Sequence, residues 1–181
     1  LYRAKDAGRN TYRFFDEEMN AQALERLQLR NALHHALEGH ELELHYQPQI
    51  DLRSGRVIGV EALLRWNRPG FGLLAPDRFI PVAEESGLIV PIGDWVIGEA
   101  CRQAMAFQQR GLPAMRMAVN LSALQFERGD VEAVVAQALR DSGLAASLLD
   151  LELTESILLK NTEQMLAVVR RLKNLGVRLS I

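Results

Sequence analysis

Only Asp51-Leu52-Arg53-Ser54 separates two runs of strand-forming residues, Leu42 to Ile50 and Gly55 to Trp66. A link that short and that rich in turn formers can join antiparallel strands, whereas a parallel crossover needs about a dozen residues or more. The first strand must therefore run against the second. Downstream the pattern changes. Pro76 opens a helix that runs through Glu85 and closes at Gly87, a second helix runs from Pro91 to Arg110, and Met115 to Ser122 reads as a strand. Asp130 caps a helix from Val131 to Ser142 whose buried face carries Val131, Val134, Val135, Ala138 and Leu139. Leu148 to Glu155 is the next strand. Asn161 with Gln164 forms a capping box for a helix with Met165, Val168, Leu172 and Leu175 inside, and Gly176 stops it before a strand at Val177 to Ile181. Helix-length crossovers predict that every later strand is parallel to the second.

Two architectures satisfy that order: an open doubly wound sheet and a βα barrel. No glycine-rich phosphate loop follows any strand, and candidate ligands come from several successive strand ends, which favours the barrel. The fold class is thus α/β, an incomplete TIM-like βα barrel with an antiparallel first strand. A linker helix precedes it. From Asp16 to Glu38 there is no Gly or Pro; Met19, Ala23 and Leu27, then Leu29, Leu33 and Leu37, recur at helical spacing, and Gly39 supplies the stop. A barrel of this kind needs roughly 250 residues, and both ends of the chain fall in mid-pattern, so the sequence reads as a fragment.

The ligand candidates are Glu61, Asn120 and Glu152, each closing an apolar run. All three offer hard oxygen donors, which suit Mg²⁺ or Mn²⁺ rather than zinc. The four histidines, His34, His35, His40 and His45, lie away from those strand ends and read as surface residues. A formal charge of −2 argues against a nucleic-acid polymer as partner. With one cysteine there is no internal disulfide, which fits a reducing compartment, and Cys101 reads as a small helix filler. No run of about 18 apolar residues occurs, and the N-terminus lacks a signal-peptide pattern. The segment is expected to be cytoplasmic and to make no membrane contact, although an upstream region could anchor the parent protein.

Tyr46-Gln47-Pro48, Glu61-Ala62-Leu63-Leu64-Arg65, Val119-Asn120-Leu121-Ser122 and Glu152-Leu153-Thr154-Glu155, in that order, resemble the EAL domain family of cyclic-di-GMP phosphodiesterases. The resemblance implies metal-dependent hydrolysis of cyclic-di-GMP to the linear dinucleotide. It implies catalytic roles for Glu61 and Glu152, a two-metal Mg²⁺ or Mn²⁺ site to which Glu61, Asn120 and Glu152 contribute, dinucleotide binding by Gln47 and Arg65, and support of the loop over the site by Glu155. Leu1-Tyr2-Arg3-Ala4-Lys5 with Gly8-Arg9-Asn10 resembles the closing segment of a GGDEF (diguanylate cyclase) domain. The expected organisation is a GGDEF tail at 1–15, a linker helix at 16–39 and the N-terminal part of an EAL domain at 40–181, cut before the family's Asp-Asp-Phe-Gly loop. Without that loop the segment itself is expected to be inactive, and the parent is expected to be a homodimer. The alternatives are a noncatalytic cyclic-di-GMP receptor and a parent acting chiefly as a cyclase.

Overall fold

The computed structural model describes residues 17–153 and 163–180. In chain order the elements are α1 (Glu17–Ala36), β1 (Leu42–Ile50), β2 (Val57–Arg68), β3 (Gly72–Leu74), α2 (Pro76–Ser86), α3 (Ile89–Gln109), β4 (Arg116–Leu121), α4 (Ala123–Arg128), α5 (Val131–Ser142), β5 (Leu149–Leu153), α6 (Glu163–Asn174) and β6 (Arg178–Ser180). The sheet runs β1-β2-β4-β5-β6, with β3 attached to β2.

β1 and β2 are antiparallel, with Gln47 opposite Glu61 and Gln49 opposite Gly59. The turn between them is built by Asp51, whose carboxylate accepts hydrogen bonds from the Ser54 backbone N–H at 2.8 Å and its hydroxyl at 2.7 Å. The pairs β2–β4, β4–β5 and β5–β6 are all parallel. One strand breaks the expected rule. β3 is antiparallel to β2, because Gly70 and Gly72, at φ 77° and 78°, turn the chain tightly back on itself after Arg68.

Strand alternation separates the two faces of the sheet. Val60, Ala62, Leu64 and Trp66 of β2, Met117, Val119 and Leu121 of β4 and Leu149, Leu151 and Leu153 of β5 are buried in one continuous core with side chains from the helices. Burying each larger side chain contributes about 1.5–3 kcal/mol. The other face receives Gln47, Glu61, Asn120 and Glu152, the polar residues of the pattern.

Leu29, Leu33 and Ala36 of α1 join that core, so the second half of this helix packs on the domain, while Leu24 and Leu27 are exposed. Ion pairs Arg26–Glu85 and Arg78–Glu25 tie α1 to α2. Gly39 does not provide the left-handed stop. His40 does, at φ 53°, with Glu41 N–H donating to the Ala36 carbonyl and His40 N–H to the Leu37 carbonyl. Glu41 then bonds forward: its carboxylate accepts from the Trp66 indole N–H at 2.9 Å and its carbonyl from the Asn67 N–H at 2.8 Å. The wholly buried Trp66 in turn packs edge-on against Phe79.

Boundaries shift where physical chemistry permits it. α3 starts at Ile89 rather than Pro91, since proline is tolerated in a first turn whose N–H groups have no intrahelical partner. α4 is an element that strand-type periodicity hides, although Ser122 and Gln125 carry capping-box spacing. Gln125 Oε1 accepts from the Ser122 N–H at 3.0 Å. Asp130 caps α5 as expected, accepting from the Ala133 N–H. Met165 and Leu172 are buried in α6. The Asn161–Gln164 capping box, the end of the β5 run through Glu155 and the segment 1–15 lie outside the described residues. All four histidines are exposed and Cys101 is fully buried.

Candidate functional site

Glu61 lies in mid-strand rather than at a strand end, because β2 continues to Arg68 to pair with β1 and β3. The parallel ladder with β4, however, stops at Ala62–Val119. Glu61 is therefore near the C-terminal edge of the parallel part of the sheet, which is where the chemistry of βα folds gathers. Asn120 follows on β4 and is paired directly with Glu152 on β5. The three oxygen-bearing side chains come from three neighbouring strands on one face.

Asn120 Nδ2 donates to Glu61 Oε1 at 2.7 Å. That orientation leaves Asn120 Oδ1 and Glu61 Oε2 as available acceptors. The Glu152 carboxyl titrates above the ordinary glutamate range because of burial, with the negative charges of Glu61 and Asp150 adding to the effect and a hydrogen bond from the Gln49 side chain opposing it. Glu61 thus takes a neutral amide donor from Asn120, and among the described residues neither Glu61 nor Glu152 is ion-paired with a basic side chain. Negative charge held among oxygen donors without a basic neighbour suits a hard divalent cation. Among the described residues no three His, Cys, Asp or Glu side chains form a metal cluster, so the candidate set depends on the Asn120 amide as well as on two glutamates.

Arg65, two residues along β2 from Leu63, is half-buried, and its Nη1 donates to the Leu64 carbonyl at 2.9 Å. Gln47 is exposed on β1 opposite Glu61. Glu155 lies outside the described residues. Beside Asn120 opens a largely apolar cavity of about 260 Å³, walled by Leu63, Leu64, Ile80, Ile92 and Val96, with Gln125 in its lining.

Sequence reasoning passed over two residues of this face. Asp150, buried on β5, accepts from the Ser180 hydroxyl at 2.6 Å and has Arg178 3.9 Å away. Gln49, on β1, holds the Glu152 pKa down against the effect of burial. The alternation of Asp150 with Glu152 was the available signal for the first; nothing local pointed to the second.

No helix among the described residues is long and apolar enough to cross a membrane. The family model "EAL domain" matches residues 30–181. The chain is 48% identical over 181 residues to the bifunctional diguanylate cyclase/cyclic di-GMP phosphodiesterase MucR of Pseudomonas aeruginosa, covering all of this chain and 26% of that protein. It is 41% identical over 181 residues to the cyclic di-GMP phosphodiesterase PdeR of Escherichia coli, again covering all of this chain, and 27% of that one. The chain therefore spans about a quarter of the length of these curated relatives. Among solved structures, a PaMucR phosphodiesterase in complex with c-di-GMP superposes with a TM-score of 0.80 at 45% identity, over 85% of this chain and 62% of that one. The EAL enzyme Bd1971 in its cAMP- and cyclic-di-GMP-bound form matches with a TM-score of 0.79 at 30% identity, over 87% and 44%.

Proposed function

The chain belongs to the EAL domain family, and from that premise we propose that it forms part of a metal-dependent phosphodiesterase that opens cyclic-di-GMP to the linear dinucleotide. The observation that carries this reading is the convergence of Glu61, Asn120 and Glu152 from three adjacent strands, with Asn120 hydrogen-bonded to Glu61.

In this reading Glu61, Asn120 Oδ1 and Glu152 hold Mg²⁺ or Mn²⁺. Such cations, when bound, polarise a phosphodiester and make a bound water a nucleophile near neutral pH. The chain's own groups do the rest. Asn120 fixes one oxygen of Glu61 and leaves the other to face the site. Arg65 presents a planar fork of donors that matches a phosphate, and Gln47 offers a neutral amide to the ligand's polar edge from across Glu61. The apolar cavity beside Asn120 provides room for an aromatic part of the dinucleotide. We further read residues 1–15 as the closing segment of a GGDEF domain and 16–39 as the helix joining it to the EAL domain. Identity to MucR across the whole chain supports this.

The test is hydrolysis of cyclic-di-GMP by the full-length protein in Mg²⁺ or Mn²⁺, before and after EDTA. Glu61→Ala should abolish turnover, and near-parental turnover in that variant would refute the assignment. Tight binding without turnover in the unaltered protein would instead favour a receptor.

A further inference from the structure

Gln125, in the first turn of α4, is a polar side chain in an apolar place: it is 2% exposed and lines the cavity beside Asn120. One end of its carboxamide is fixed. Oε1 accepts from the Ser122 N–H at 3.0 Å, and since only the oxygen can accept there, the NH₂ stands at the other end. That end lies over Gly93 of α3, which also lines the cavity; a Cβ built on Gly93 would collide with Gln125 Nε2, so the glycine makes room for the amide. Nε2 is buried and has no hydrogen-bond partner among the described residues. A buried donor left without an acceptor costs about 1–3 kcal/mol, which a ligand that supplies the acceptor recovers.

We propose that Gln125 is a specificity-determining residue of the dinucleotide site: its Nε2 donates to the carbonyl oxygen of a guanine base lodged in this cavity. The inference rests on the reading of the chain as part of a cyclic-di-GMP phosphodiesterase. Leu63, Ile80, Ile92 and Val96 give the cavity apolar walls suited to a flat ring, and Asn120 borders both the cavity and the cation site, so a base in one and a phosphodiester at the other belong to a single ligand. Guanine carries its O6 acceptor where adenine carries an N6–H₂ donor. Adenine would therefore set donor against donor in a place with little water. The amide cannot turn over to suit it, because that would bring its NH₂ against the Ser122 N–H. Sites built to hydrogen-bond one group reject its poor mimics strongly for this reason.

The competing explanation is that Gln125 only caps α4 and fills the space above Gly93. Steady-state hydrolysis of cyclic-di-GMP and cyclic-di-AMP by the full-length protein in Mn²⁺ separates the two. The parent should prefer cyclic-di-GMP. Gln125→Met, which keeps the length and removes the donor, should lower kcat/KM for cyclic-di-GMP by about ten- to a hundredfold and leave that for cyclic-di-AMP nearly unchanged. Gln125→Glu keeps an oxygen for the Ser122 N–H and should also lose the preference, so a cap defect in the first variant does not decide the outcome. A purely structural role would lower both substrates alike and leave their ratio where it was. An unchanged ratio in both variants, or a parent that turns over both dinucleotides equally, would overturn the inference while the phosphodiesterase reading stands. A parent that hydrolyses neither would overturn both.

Discussion

Glu152→Gln should make the metal-free protein more stable at pH 7.5 and less stable than its parent once Mn²⁺ is present. Glu61 and Glu152 stand on strands two ladder spacings apart and two residues out of level, about 11–12 Å between backbones, and side chains leaning toward a common centre bring the charges to roughly 7 Å. At an effective dielectric of about 20 that repulsion is worth about 2 kcal/mol, and solvent screening of these partly exposed groups reduces it to about 1 kcal/mol. Asp150 adds in the same direction. Replacing the carboxylate with an isosteric amide should therefore raise the unfolding midpoint by about 2–4 °C. Because burial and neighbouring charge lift the Glu152 pKa above its unfolded value, the native state holds this proton more tightly. The associated penalty is absent when both states are protonated and is complete once pH has risen through the folded pKa. The advantage of Glu152→Gln should accordingly grow as pH rises from the ordinary glutamate range and fade on acidification toward it. With Mn²⁺ at about 100 times its dissociation constant the parent gains about 2.7 kcal/mol, and the variant gains little, so the order reverses. Urea unfolding followed by tryptophan fluorescence, with and without Mn²⁺, measures both. Destabilisation by Glu152→Gln in the absence of metal, or an advantage that does not depend on pH, would refute the reasoning.

Arg65→Ala in the full-length protein should raise the cyclic-di-GMP dissociation constant by about ten- to a hundredfold, the worth of a charge-assisted fork of about 1.5–3 kcal/mol, with Mn²⁺ affinity nearly unchanged in calorimetry. Asp130→Ala removes the acceptor for the Ala133 N–H and should cost about 1 kcal/mol in denaturant unfolding without altering Mn²⁺ binding. Cys101 is wholly buried and its thiol is pushed up to about 11, so a thiol reagent at pH 8 should label it only after unfolding; rapid labelling of the folded chain would show that α3 opens locally.

The legible part of the fold was the part with a local cause. Proline at the start of α2, Asp130 before α5 and left-handed Gly87 and Gly143 after their helices each mark an element by backbone geometry that one or two residues impose. Signals of equal strength were sometimes masked. Ser122 and Gln125 announce α4, but the apolar run of β4 leads straight into it, and Gly39 looks like the natural helix stop although His40 takes the left-handed conformation. β3 had too few residues for periodicity to register, and with it went the expectation that every later strand is parallel.

By itself the sequence determined that Leu42–Ile50 and the run from Val57 to Trp66 oppose each other, that the strands after the helix-length crossovers are parallel to the second, and which oxygen-bearing residues stand near the ends of their parallel ladders. The reason is that connection length and alternation act on neighbours along the chain. Tertiary structure alone decided that Asn120 meets Glu61 across 59 residues and that Glu41 holds the Trp66 indole at the end of α1. It also decided the raised pKa of Glu152, since burial and the fields of Glu61 and Asp150 depend on the register and curvature of four strands, a sum over distances that no local stretch of residues contains.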